Sequence, residues 1–159
     1  MSAPSVEPLS WRAIQWVKGV LATISPAAGY YSDFTAITVL DDRSQIDAEK
    51  GTYVLVVALD FDPTGESGGR TSQFYNEDMA MLIEFGIKRD PALNPELAAH
   101  RARWDVLRAL RTPLRNQVHG FTRIDIEASS VGDAPDGAAL IIAQVQARAG
   151  LSDTTPPAI

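Results

Sequence analysis

The longest regular pattern in the chain runs over residues 79–88. There Met79, Met81, Ile83, Phe85 and Ile87 alternate with Ala80, Leu82, Glu84, Gly86 and Lys88. A period of two puts the first set on one buried face of a strand. Residues 89–95, with prolines at 91 and 95, interrupt it, because proline fixes its own φ and biases the preceding residue away from helix. Asn94 then suits the N-cap of a helix that starts at Pro95. Along it Leu97, Trp104, Leu107, Leu110 and Leu114 recur at helical steps and share one face. The pattern predicts that this strand and helix close apolar side to apolar side.

The same reading places a first helix over residues 11–24, capped by Ser10, with Trp11, Ile14, Val17, Val20, Leu21 and Ile24 on one face. Trp16 lies off that face, and only Arg12 and Lys18 carry charge, so the helix is buried on more than one side or meets a partner. Short strands are expected at 34–40 and 121–129, and longer ones at 52–61 and 138–149. Residues 53–61 are apolar on both faces, which predicts a central strand covered on both sides. The order is αβββαββ. It predicts an α+β domain over residues 10–149, with a largely antiparallel or mixed sheet of about five strands and two helices packed on it. Residues 1–9 and 150–159, rich in Ser, Pro and Thr, read as flexible ends.

Composition adds exclusions. A chain of 159 residues is one domain's worth, and 45% hydrophobic with 21% charged residues argues against wholesale disorder. The absence of cysteine rules out disulfides, thiolate metal sites and cysteine nucleophiles. No apolar run approaches the roughly 20 residues that span a bilayer, and no secretory signal is visible, so a soluble protein made in a cytoplasm is expected. The net charge of −6 and pI near 4.8 speak against a general nucleic-acid binder. They suit a surface along which DNA slides, and mild acidity also aids solubility.

Candidate chemistry is sparse. His100 and His119 are 19 residues apart with no second ligand at helical spacing. No nucleophile elbow, dinucleotide glycine motif or Walker lysine is present. Asp60 with Asp62, and Asp41 with Asp42, precede polar loops, where aspartate is a turn former. The pattern therefore assigns no catalytic residue, no cofactor and no metal. Residues 62–74 (DPTGESGGRTSQF) make a long loop between two strands, the kind that functions or is ordered by a partner. Its Arg70, Gln73 and Phe74 are candidate contacts. The second helix carries Arg101, Arg103, Arg108, Arg111 and Arg115, of which Arg101, Arg108 and Arg115 are seven apart and Arg111 is close by. Asp105 is spaced to pair with Arg101 and Arg108. A solvated face is the default for such a stripe. A ring of cations meeting carboxylates of a neighbouring subunit is the sharper reading, since arginine pairs carboxylates bidentately. Direct nucleic-acid reading ranks third, because the stripe shows no aromatic interleaving and the whole is acidic. With Trp16, these residues form the candidate interface set. Two other classes stay open: a small metal-dependent enzyme using Asp60, Asp62 and Glu84, and a monomeric module binding a peptide through the Gly-rich loop.

The segments TISPAAGYYSDF (23–34), TAITVL (35–40) and YVLVVALDF (53–61) follow a first helix that bears tryptophan. This layout, over residues 10–147, resembles the tail terminator or tail-completion proteins of long-tailed bacteriophages. Ile24, Ala27, Gly29, Tyr30 and Asp33 match the turn that ends the first helix in that family. The resemblance implies a virion protein assembled in the host cytoplasm, without enzymatic activity. It implies a ring, usually a hexamer, that caps the tail tube protein and ends its polymerisation. The other face of the ring would meet a head-completion or neck protein, with DNA passing through the lumen unbound. In that setting residues 62–74 reach a neighbouring subunit or the tube, and the arginine stripe lies at a subunit seam. Another neck, head–tail joining or minor tail protein is the alternative within the same setting.

Overall fold

A computed structural model of the chain describes residues 6–35, 37–47, 52–64, 75–90, 92, 94–111, 120–133 and 140–153. Helix α1 (Leu9–Leu21) leads to β1 (Thr38–Leu40), β2 (Tyr53–Pro63) and β3 (Tyr75–Lys88). Helix α2 (Pro95–Leu110), β4 (Phe121–Asp133) and β5 (Leu140–Asp153) complete the order αβββαββ. The five strands form one sheet in the order β1-β2-β3-β5-β4. β1 runs parallel to β2 and every other pairing is antiparallel, so the sheet is mixed and the domain is α+β, as the pattern predicts.

Both helices pack on the same face of the sheet. Met79, Met81, Ile83 and Phe85 of β3 are fully buried there. Their partners on β5 are Ala149, Ala147, Val145 and Ala143, a row of small side chains beside a row of large ones. That small row lets α2 approach closely, and α2 meets it with its own small residues: Ala99, Ala102, Val106 and Ala109 are buried. Here the sequence expectation is corrected. Leu97 and Trp104, placed on the buried face by their spacing, are 45% and 46% exposed. Close packing favours the alanine side because bulky side chains would hold the helix off the sheet. Leu110 is buried as expected, and Leu107 is half-buried against the core. Leu114 lies outside the described residues.

Asn94 caps α2 as predicted, its side chain accepting the Leu97 amide at 3.2 Å, with Pro95 at the first position. The first helix differs in extent. It begins at Leu9, after Pro8 rather than Ser10, and ends at Leu21. Ile24, three residues past its end, is still fully buried. Of the strand expected at 34–40 only Thr38–Leu40 pairs, while Phe34 turns into the core beside Phe85.

Neither α1 nor α2 covers the other face of the sheet. At one end, Leu40 and Ile46 cover Tyr53, Leu55 and Leu140 in a small second core. The start of β2 is thus covered on both sides as expected, but the rest is not. A bulge between Ala58 and Asp60 shifts the register, so Leu59 is 55% exposed and Phe61 pairs with Met79 on the helix side. One extra residue in a strand reverses the facing of everything after it. The strand is second from the sheet edge rather than central.

Parts of the two end segments assigned as flexible, Leu9 and residues 150–153, join the fold, while residues 1–5 and 154–159 lie outside the described residues. Leu9 is buried in α1, and β5 continues to Asp153 with Leu151 buried opposite Phe121. Glycine at 150 and serine at 152 lowered the strand signal, but Gly150 pairs with both β3 and β4, and Ser152 pairs with Asn76 of β3 and donates its amide to the Gly120 carbonyl at 2.8 Å.

Candidate functional site

The outer side of α2 gathers a set of cations and rings. Leu97, Arg101, Trp104, Arg108 and Arg111 follow one another at steps of four and three, and so share the side of the helix turned away from the sheet. A second segment folds onto them. After α1, Ser25 caps the single turn Pro26–Ala28, and Gly29 takes a left-handed conformation (φ 89°) that reverses the chain. The Phe34 amide returns to the Ile24 carbonyl at 2.8 Å, closing the loop.

Two bonds from α2 hold this loop in place. The Ser32 amide donates to Asp105 Oδ2 at 2.7 Å, and Arg108 Nη1 donates to the Gly29 carbonyl at 3.1 Å. The loop then lays its tyrosines over the helix. The Arg108 guanidinium lies 5.0 Å from the Tyr30 ring centre and that of Arg101 5.2 Å from Tyr31. On the helix itself Arg111 sits 5.4 Å from the Trp104 ring. Each cation–π pair at an exposed site contributes on the order of 0.5–1 kcal/mol. The arginine stripe is therefore interleaved with aromatics, contrary to the sequence expectation. Two of these three rings come from a segment some 70 residues away, which helix spacing alone could not reveal.

Asp105 pairs with Arg108 as its spacing predicts, with Arg108 Nη1 3.9 Å from Oδ1, and it does so from a fully buried position. Its Oδ1 makes no hydrogen bond among the described residues. Asp33, the residue after Ser32, stiffens the loop end by accepting the Thr35 amide at 3.0 Å. The Thr35 hydroxyl and amide hold its carboxyl below the ordinary value.

Of the predicted interface set, the structure brings Arg101, Arg108 and Arg111 together. Trp16 stands apart on α1, half-buried, edge-on to Phe121 with ring centres 5.2 Å apart. Arg70, Gln73, Phe74 and Arg115 lie outside the described residues. Tyr31 and Trp104 were missed as members of the set. The signal that could have found Trp104 was the competing alanine spacing at 99, 102 and 109.

The open sheet face carries two charged ladders at the end opposite the small second core. Arg123 pairs with Asp78 and Asp125, both at 2.9 Å. Arg148 pairs with Glu127 at 2.7 Å and Asp62 at 3.2 Å. These carboxylates raise both guanidinium pKa values, Asp78 foremost for Arg123 and Glu127 for Arg148. Towards the other end, Glu84 is almost fully buried. It accepts from Tyr53 Oη (2.8 Å), Gln144 Nε2 (2.7 Å) and Arg43 Nη1 (3.1 and 3.2 Å). It floors a cleft of about 300 Å³ bordered by Ser130, Gly132 and Ile142.

The metal-enzyme alternative needs Asp60, Asp62 and Glu84 together. Asp60 pairs with Ala80 and Asp62 with Asp78 in register, four and six positions along β3 from Glu84. Those offsets amount to about 13 and 20 Å, too far to share an ion. Among the described residues no group of three or more acidic or histidine side chains could hold a metal. No described helix is long and apolar enough to cross a membrane.

No protein-family model and no curated protein matches the sequence. The fold does have a solved counterpart. In the virion of a native gene transfer agent particle, one chain is similar with a TM-score of 0.62 and 16% sequence identity. The match covers 92% of this chain and 100% of that one. The architecture described above is thus shared with a chain of that particle.

Proposed function

We propose that this protein is a structural component of a phage-like virion and, within it, the tail terminator. In this reading it forms a ring, of six subunits by family resemblance, that caps the tail tube, ends its polymerisation and joins the tail to a neck or head-completion protein. DNA passes through the lumen, and the protein's acidity keeps it sliding rather than bound. The observation that carries the proposal is the full-length likeness in fold to a chain of a gene transfer agent virion. The turn motif from Ile24 to Asp33 supports the finer assignment, because in this chain it builds the loop that is anchored on Asp105. A different neck or minor tail component is the second reading, favoured by the same likeness in fold.

The decisive experiment is the mass of the purified protein by light scattering, with negative-stain imaging before and after tail tubes are added. Closed rings, free or at tube ends, with tube growth arrested, are the expected result. A chain that neither forms rings nor binds tube ends refutes the terminator assignment. Deleting residues 65–69 should abolish capping while the circular-dichroism spectrum and melting transition persist. Capping by the deletion variant would remove the loop from the mechanism.

A further inference from the structure

The Tyr30–Tyr31 loop packs on part of the outer face of α2 and leaves large apolar side chains on it exposed. Tyr31 is 62% exposed, and Leu97 and Trp104 nearly half exposed, a cluster that a lone monomer seldom leaves uncovered. Arg101 and Arg111 stack on rings but meet no carboxylate among the described residues. Arginine and large aromatics together are the side chains that dominate protein interfaces. The complement lies on the same molecule. Among the described residues the charged end of the open sheet face presents Asp60, Asp62, Asp78, Asp125 and Glu127 against Arg123 and Arg148, five carboxylates to two guanidiniums. Among the described residues Asp60 makes no ion pair there, only a bond from the adjacent Phe61 amide.

The two surfaces lie on opposite sides of one sheet, so a molecule cannot bring its own pair together. We infer that the Arg101–Trp104–Arg111 face of one copy seats on the Asp60–Asp62–Asp125 end of the open sheet of a second copy. Such a contact is head-to-tail, and head-to-tail contacts close into rings or continue as filaments. This inference rests on the ring reading above and names the seam. A polyanion is the weaker occupant, since a chain of net charge −6 repels it.

The test uses two variants of the full chain, Arg101→Glu with Arg111→Glu, and Asp60→Lys with Asp125→Lys. All four side chains are exposed, and circular dichroism checks the fold of each. Self-association is followed by sedimentation velocity up to millimolar protein at low salt. Each variant alone should associate about a hundredfold more weakly, because like charges now face each other across the seam. An equimolar mixture should regain assembly, since every seam then joins opposite charges. Wild-type association should weaken as salt rises and screens the seam. Rings that persist in both variants overturn the inference and leave the terminator reading intact. A mixture no better than its parts overturns it too, as does a wild type that stays monomeric. A variant that loses DNA retention with unchanged mass assigns the face to nucleic acid instead. Tube capping, assayed separately, decides the terminator reading.

Discussion

Glu84 offers the clearest quantitative test of how the open face is held. Its carboxylate is 3% exposed and accepts from Tyr53, Gln144 and Arg43. Replacing it by leucine removes the acceptor for all three. Arg43, whose side chain is 54% exposed, can turn to water, so the loss of that ion pair costs little. The buried Tyr53 hydroxyl and the Gln144 amide cannot turn away as easily. Each unsatisfied group costs about 1–3 kcal/mol, and burying leucine in place of a carboxylate offsets part of this. A net loss of about 3 kcal/mol follows, equivalent to a fall of roughly 6–12 °C in Tm for a chain of this size. The assay is urea unfolding followed by tryptophan fluorescence, in dilute protein so that assembly does not shift the midpoint by mass action. The companion is the triple variant Glu84→Leu, Tyr53→Phe, Gln144→Leu, which leaves no orphaned donor and should recover about 2 kcal/mol. If Glu84→Leu stays within about 1 kcal/mol of wild type, or the triple variant is no more stable than the single one, the network does not hold the face.

Three further outcomes follow from named contacts. Asp105→Ala should destabilise by about 3 kcal/mol, since it strands the Ser32 amide in the interior, whereas Asp105→Asn keeps that acceptor and should cost about 1; equal melting points for the two would contradict this. Gly86→Ala should lower stability by about 1–3 kcal/mol, because a Cβ there would overlap the Tyr53 ring; an unchanged urea midpoint would mean that the ring moves aside. Burial, reinforced by the hydrogen bond to Glu84, pushes the Tyr53 phenol above its ordinary value of 10.0. The folded state therefore holds the proton more tightly than the unfolded one, so its contribution is whole below pH 10 and is lost as pH rises beyond. Tyr53→Phe should flatten that alkaline decline, and an identical decline in the variant would assign it to another group.

The alternating run at 79–88 and the Asn94–Pro95 start of α2 were legible because each is a local matter. Period two needs only a strand with one buried face, and a cap needs only its own turn. The order of elements and the mixed α+β class followed from such local signals. Three decisions needed the tertiary structure. The buried side of α2 was settled by the alanine row of β5, since two candidate faces competed on one helix and the sheet admitted the smaller one. The facing of Leu59 and Phe61 was settled by a bulge that the apolar run, greasy on both sides, could not mark. Arg101 and Arg108, visible in a stripe, acquired their aromatic partners only when the Tyr30–Tyr31 loop folded back onto Asp105. Spacing along one element reports what that element can present. What it meets depends on segments far away in the chain, and those are brought together only by packing.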